Sequence, residues 1–145
     1  MRINIINPKY LTDQHLIAEL NEINMVSQSF KRSYYSKNGI KDIPNEFCLN
    51  KNHVKFFYNK GLYLHKRHLE LRKEGLKRGF NLKEIFKNYF YWLDEKYYND
   101  WKPNKKDKKI IIERIIEKIN LKSNFYRYYR KPLIRENYFK LLEKV

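Results

Sequence analysis

The chain holds a single cysteine, Cys48, among 145 residues, so it has no internal disulfide and no multi-thiolate metal site. Glycine and proline are scarce at four each, and apolar/polar alternation is rare, which argues against a β-rich fold and leaves helices to dominate. No apolar run approaches the ~20 residues of a membrane helix. Pro8, Lys9, Asp13, Glu19 and Glu22 interrupt the first 25 residues, so these lack the order of a signal peptide. A soluble protein in a reducing intracellular compartment, cytoplasmic or associated with the nucleoid, is expected. Familiar catalytic signatures are also missing: there is no phosphate-binding glycine loop, no HExxH, no CxxC and no serine nucleophile elbow. Of His15, His53, His65 and His68, only the last two share a helical i, i+3 spacing, and no third ligand accompanies them. Neither a metal nor a cofactor is expected.

Acidic residues are the remaining shortage. Sixteen Asp and Glu face 32 Lys and Arg, a net charge of +16 and a pI near 9.8. Such an excess suits a polyanionic partner, nucleic acid above all, although a chain so rich in Lys, Asn, Ile, Tyr and Phe is also what an AT-rich genome encodes. The distribution is more telling than the total. Residues 51–83 carry ten Lys and Arg against Glu70 and Glu74, whereas residues 1–28 carry two basic and three acidic groups.

The length suits one domain, residues 1–145. The pattern predicts an all-α fold of three main helices with long loops and a short C-terminal helix. The first helix spans about Thr12 to Ser33, capped by Thr12 or Asp13, with Leu16, Leu20, Ile23 and Phe30 on its core arc. The second runs from His53 or Gly61 to Arg78, with Leu62, Leu69 and Leu76 as a stripe and Gly79 as its C-terminal cap. Residues 84–106 suggest a short aromatic helix broken by Asn99, Asp100 and Pro103. The third main helix is capped by Asp107, buries Ile111, Ile112, Ile115, Ile116 and Ile119, and ends near Asn120; Ile134 to Leu142 forms the fourth.

His15 and Glu22, seven residues apart on the first helix, differ by about 20° around its axis and so share a face. That face lies more than 90° from the centre of the Leu16, Leu20 and Ile23 stripe, and an ordinary solvated pair explains it as readily as a site does. Arg114 and Lys118 flank the isoleucine stripe at i, i+4, again compatible with a plain helix surface. Phe125-Tyr126-Arg127-Tyr128-Tyr129-Arg130-Lys131 interleaves rings and cations, which serves either base stacking with phosphate contact or a strap packed on the core.

Whole segments narrow these choices. Met1-Arg2-Ile3-Asn4, Asp13 to Glu19 and Glu22 resemble the N-terminus of the phage and algal-virus pyrimidine-dimer DNA glycosylase/AP lyases. His53 to Lys60 looks like that family's central signature, and Leu76-Lys77-Arg78-Gly79-Phe80-Asn81 like the end of its second helix. Tyr98-Asn99-Asp100-Trp101 with Pro103, Glu117-Lys118-Ile119 and Phe125 to Tyr129 follow in the family's order. The resemblance covers about residues 1–28, 47–83 and 97–131, leaving 84–96 divergent and 132–145 as a C-terminal extension.

The resemblance implies a reaction. The glycosidic bond of the 5′ pyrimidine of a cyclobutane dimer in double-stranded DNA is cleaved, and the strand is then nicked by β-elimination. It implies the α-amine at Met1 as nucleophile and Glu22 as the essential carboxylate. His15 is implied as a site residue, and Arg2, Arg114, Lys118 and, less directly, Lys83 as phosphate or lesion contacts. An α-amine, which ordinarily titrates at ~7.7–8.0, supplies far more free base at neutral pH than lysine. The family's phage member bears a threonine where register places Met1. Asn21 stands where the family usually carries an arginine and Met25 where its phage member has one, so a different damaged base remains open, as does a non-catalytic DNA-binding protein of the same fold. A monomer is expected, acting on lesion-bearing DNA without a membrane.

Overall fold

A computed structural model describes residues 2–83 and 85–145. Expectations attached to Met1, and to Glu84 within the divergent segment, lie outside the described residues.

The fold is all-α, as the sequence predicts. Helix α1 (Asp13–Tyr34) is its long axis, with α3 (Gly61–Lys77) and the short α4 (Tyr89–Leu93) packed along it. Helix α5 (Lys105–Leu121) and the C-terminal α6 (Arg135–Leu142) pack on each other, and a single-turn helix, α2 (His53–Phe56), leads into a 3-10 turn at Phe57–Asn59. Among the described residues, only Arg127–Tyr128 (β1) and Lys131–Pro132 (β2) form strands, paired antiparallel as a small hairpin. No helix among the described residues is long and apolar enough to cross a membrane.

Of the three long helices, α1 and α5 start where a side chain satisfies their first amides. Thr12 caps α1 by accepting from the His15 amide at 3.1 Å. On α5 the cap is Asn104, one turn before the predicted Asp107; Asp107 occupies the third helical position and completes a capping box by accepting from the Asn104 amide at 3.0 Å. Gly79 has φ +91, and the amides of Gly79 and Phe80 return to the carbonyls of Leu76 and Gly75, so α3 ends in the predicted glycine cap.

The leucine stripe of the second helix is overturned. Leu69 is 56% exposed and Leu76 is also exposed, while the buried face of α3 carries Leu64, Arg67, His68, Leu71 and Gly75. Pattern reading passed over that face because it contains two polar residues, and Arg67 goes inside only because Glu19 of α1 meets it there, with Nε–Oε2 at 2.6 Å and Nη2–Oε1 at 3.0 Å. Of the two starts foreseen for this helix, Gly61 is the one found, because the turn at Phe57–Asn59 separates α2 from α3. Gly61 opens α3 against α4: a Cβ there would lie 2.3 Å from that of Phe90, so any larger residue forces the two apart.

The segment before α1 is buried yet belongs to no sheet. Ile3, Ile5, Ile6 and Leu11 join the core of Leu16, Ile23, Phe30, Phe57, Leu64 and Ile115. Each such side chain contributes about 1.5–3 kcal/mol by leaving water, but the strand-like backbone must find its hydrogen bonds among side chains.

Candidate functional site

A cleft of about 930 Å³ opens between the first half of α1, α5, the Phe125–Arg130 strap and the N-terminal segment. Its cations come from every wall except α1: Arg2 from the N-terminal segment, Arg114, Lys118 and Lys122 from α5 and its end, and Arg127 and Arg130 from the strap. Phe80, Phe125 and Tyr126 supply rings, and Ala18 offers a small surface on α1. A cationic rim over aromatic faces suits a ligand with both negative charge and π-surface.

The strap reaches this position through bonds that join distant parts of the chain. Gln14 donates to the Phe125 carbonyl and accepts from the Arg127 amide, both at 2.8 Å. Asp13 accepts from the Arg130 amide at 2.7 Å while its other oxygen accepts from Arg78 at 2.9 Å. Arg78 also donates to the carbonyls of Leu11 and Pro8, so one buried guanidinium fixes the entry to α1, the end of α3 and, through Asp13, the strap.

Five residues singled out in the sequence meet here: Arg2, His15, Asn21, Arg114 and Lys118 all line the cleft. Glu22 lies one turn beyond Ala18 on the same face of α1 and is only 6% exposed. The solvated reading of Glu22 therefore fails, because the N-terminal segment runs along this flank and bonds to Glu19 one turn back, Asn4 N to Oε1 at 2.9 Å. Lys83 is exposed and stands apart from the cleft lining. Met25, 51% exposed, presents a thioether where the resemblance led one to look for a cation.

The imidazole of His15 forms part of the cleft wall and makes no bond to Glu22. Its Nδ1 lies 2.7 Å from the Thr12 hydroxyl, which already accepts the His15 amide; a hydroxyl that donates to Nδ1 satisfies both and leaves the ring proton on Nε2. Burial, then the charges of Arg114 and Lys118, lower its pKa from 6.5 to about 4, so the ring is neutral in ordinary buffers.

Sequence reading missed the groups that hold the N-terminal segment. The Ile3 amide donates to His53 Nε2 at 2.9 Å, Asn4 is held by Glu19, and Arg67 spans Glu19 and the Ile6 carbonyl. One signal was available: Glu19 falls within the apolar arc of α1, and a buried carboxylate requires a cationic partner. Nothing in spacing links residue 3 to residue 53. Among the described residues no three His, Cys, Asp or Glu side chains gather as a metal site.

A helical frame with a cation-walled, ring-lined cleft defines a protein that handles a polyanion carrying flat groups. The family follows from comparison with known proteins: the pyrimidine dimer DNA glycosylase family matches residues 1–88, and the chain belongs to that family. Its function is accordingly that of a DNA-repair glycosylase. The matched span contains the N-terminal segment, α1, α2 and α3, while Arg114, Lys118 and the strap lie beyond it.

Proposed function

We propose that the protein is a glycosylase/AP lyase for cyclobutane pyrimidine dimers in double-stranded DNA, with the α-amine of Met1 as nucleophile. The amine nitrogen forms a bond to C1′ of the 5′ nucleotide as the bond from C1′ to the pyrimidine breaks, the base departing with the bonding pair and taking up a proton. The sugar then opens as the C1′–O4′ bond breaks, O4′ keeping the pair and taking a proton, which leaves an iminium ion at C1′; this acidifies the C2′ proton, and loss of that proton expels the 3′ phosphate and nicks the strand. Glu22 stabilises the cationic sugar and relays protons, as a carboxylate held out of bulk water can. Arg2, Arg114 and Lys118 grip phosphates, while neutral His15 and Asn21 face the sugar and the distorted bases.

Lesion selection rests on deformability: a dimer weakens local stacking and pairing, so bending the duplex and extruding a nucleotide costs less there. The basic 51–83 region adds sequence-independent, salt-sensitive attraction.

The observation that carries this reading is the meeting in one cleft of Arg2, His15, Asn21, Arg114 and Lys118 from three separate parts of the chain, with Glu22 on the adjoining turn. Borohydride trapping on dimer-bearing duplex in EDTA, followed by mass spectrometry of the N-terminal peptide, tests it. A covalent adduct on the Met1 amine is expected; trapping through an internal lysine, or none with a native N-terminus, overturns the assignment. Asn21 and Met25 favour a second reading, in which the lesion is another damaged base, and a panel of lesion-bearing duplexes separates the two.

A further inference from the structure

His53 begins α2 and is 1% exposed, with Phe47 and Phe57 edge-on to its ring. Both ring nitrogens are engaged, and only one tautomer fits. The Cys48 carbonyl can only accept, so Nδ1 carries the proton that bonds it at 2.8 Å; the Ile3 amide can only donate, so Nε2 offers its lone pair at 2.9 Å. The neighbouring residues are held in the same manner. Arg2 donates from Nη2 to the Leu49 carbonyl at 2.9 Å, and Asn4 donates to Glu19, itself locked by Arg67. Arg2, Ile3 and Asn4 thus each have a dedicated bond to a distant group, two of them to the 48–53 element. Just beyond, Ile5 turns with φ +45 while the Ile6 amide reaches back to the Asn4 carbonyl. That bend is costly for a β-branched residue, about 1–3 kcal/mol, and persists only where the surroundings over-determine it.

A strand in a sheet takes its register from a ladder of bonds, and residues 2–4 belong to no sheet. We propose that neutral His53 is a positioning residue for the glycosylase reaction, a post that with Glu19 fixes the register of residues 2–4 and so aims the amine preceding them. This rests on the reading of Met1 as nucleophile. Attack on C1′ needs reacting atoms about 3–3.5 Å apart, and a displacement of about 1 Å costs on the order of 100-fold in rate.

The test compares His53→Gln, His53→Asn and His53→Leu in the full chain. A glutamine oxygen reaches the place of Nε2, an asparagine oxygen only that of Nδ1, and leucine offers neither. The expected result is a His53→Gln protein trapping within a few-fold of wild type, with His53→Asn and His53→Leu about 10–100-fold slower in kcat. KM and affinity for undamaged duplex should stay nearly unchanged. The proposal is overturned if a folded His53→Leu or His53→Asn traps at the wild-type rate, or if all three variants fall equally. Where His53→Leu fails to melt cooperatively, the Gln and Asn pair decides. Hydrogen exchange at the Ile3 amide separates this proposal from the functional reading. A wild-type protein that does not trap sinks the Met1 assignment, whereas an Ile3 amide no less protected in His53→Asn than in wild type sinks the positioning role.

Discussion

The imidazole of His15 lies parallel to the ring of Tyr126, with centroids 4.8 Å apart and 10° between planes. The pair joins α1 to the strap across 111 residues of sequence, and the His15 ring, bonded through Nδ1 to Thr12, cannot tilt without breaking the stack. A neutral imidazole suits this place, since a charged one would face Arg114 and Lys118 across the same cleft.

Acid should therefore loosen the site. His15 and His53 both titrate near pH 4 in the folded chain and near 6.5 when unfolded: burial is the chief cause in each, with Arg114 and Lys118 adding to it for His15. For His53 the Cys48 carbonyl opposes the shift, and Arg2 and Arg114 reinforce it. A folded-state pKa below the unfolded one gives stability that is complete above 6.5 and lost as pH falls towards 4, on the order of 3 kcal/mol for His53 alone. Denaturant midpoints measured from pH 7.5 to pH 4 should fall across that window, and more gently in His53→Gln. A flat profile would show that neither ring is held neutral by the fold.

Replacing Glu22 by Gln keeps the shape of the side chain and removes its charge. Since Glu22 adjoins the cleft without lining it, duplex affinity should change little, while the single-turnover rate on dimer-bearing DNA should fall by about 100- to 10,000-fold. Gel-shift titration and borohydride trapping on one substrate read the two quantities. An unchanged rate would show that the chemistry does not use this carboxylate, and no reaction in wild type or variant would point to a DNA-binding protein without catalysis.

The cleft cations should register in the salt dependence of binding. Each phosphate contact contributes about 0.9 to the slope of log K against log salt, so the Arg114→Ala, Lys118→Ala double variant should lower the slope by nearly 2 if both residues touch phosphates. Lys83→Ala, exposed and outside the cleft, should lower it by no more than about 0.9 and leave lesion preference alone. Equal loss of lesion preference in the two proteins would place the lesion elsewhere.

Much of this architecture was legible in the sequence because local rules act locally. The Thr12 cap, the Gly79 terminus, the isoleucine face of α5 and the bounds of α6 depend on residues within a turn or two of one another, and each was found within a residue or so. The residues proposed for the site came from whole-segment resemblance alone, since spacing did not separate His15 and Glu22 from an ordinary pair on a helix face. What escaped was set by contacts between distant segments. The core face of α3 was missed because Arg67 is buried only in company with Glu19, 48 residues away, and the bond from Ile3 to His53 spans 50. Where a polar residue goes inside, its partner decides, and the partner has no fixed spacing.

The hairpin that carries the cleft's outer cations violates a local rule, and the violation predicts a trade-off. A two-residue connection between antiparallel strands needs both central residues in the left-handed region, which favours Asn-Gly; here Tyr129 (φ +50) and Arg130 (φ +66) occupy it. Each costs about 1–2 kcal/mol against glycine, offset in part by Asp13 accepting the Arg130 amide, by the Tyr129 hydroxyl bonding Glu74, and by the Arg78 guanidinium 4.3 Å over the Tyr129 ring. In Arg130→Gly the Asp13 bond survives because it uses the backbone, and the strain goes. The guanidinium 5.7 Å from the Phe80 ring is lost from the cleft. Allowing for glycine's greater freedom in the unfolded chain, the variant should melt about 2–4 °C higher. It should bind duplex DNA more weakly, with a salt slope smaller by up to about 0.9. Calorimetry and binding titrations on the same preparation check both halves. A variant that melts lower would mean that Arg130 contributes more by its side-chain contacts than its backbone conformation costs, and that the cation was placed there for stability rather than for DNA.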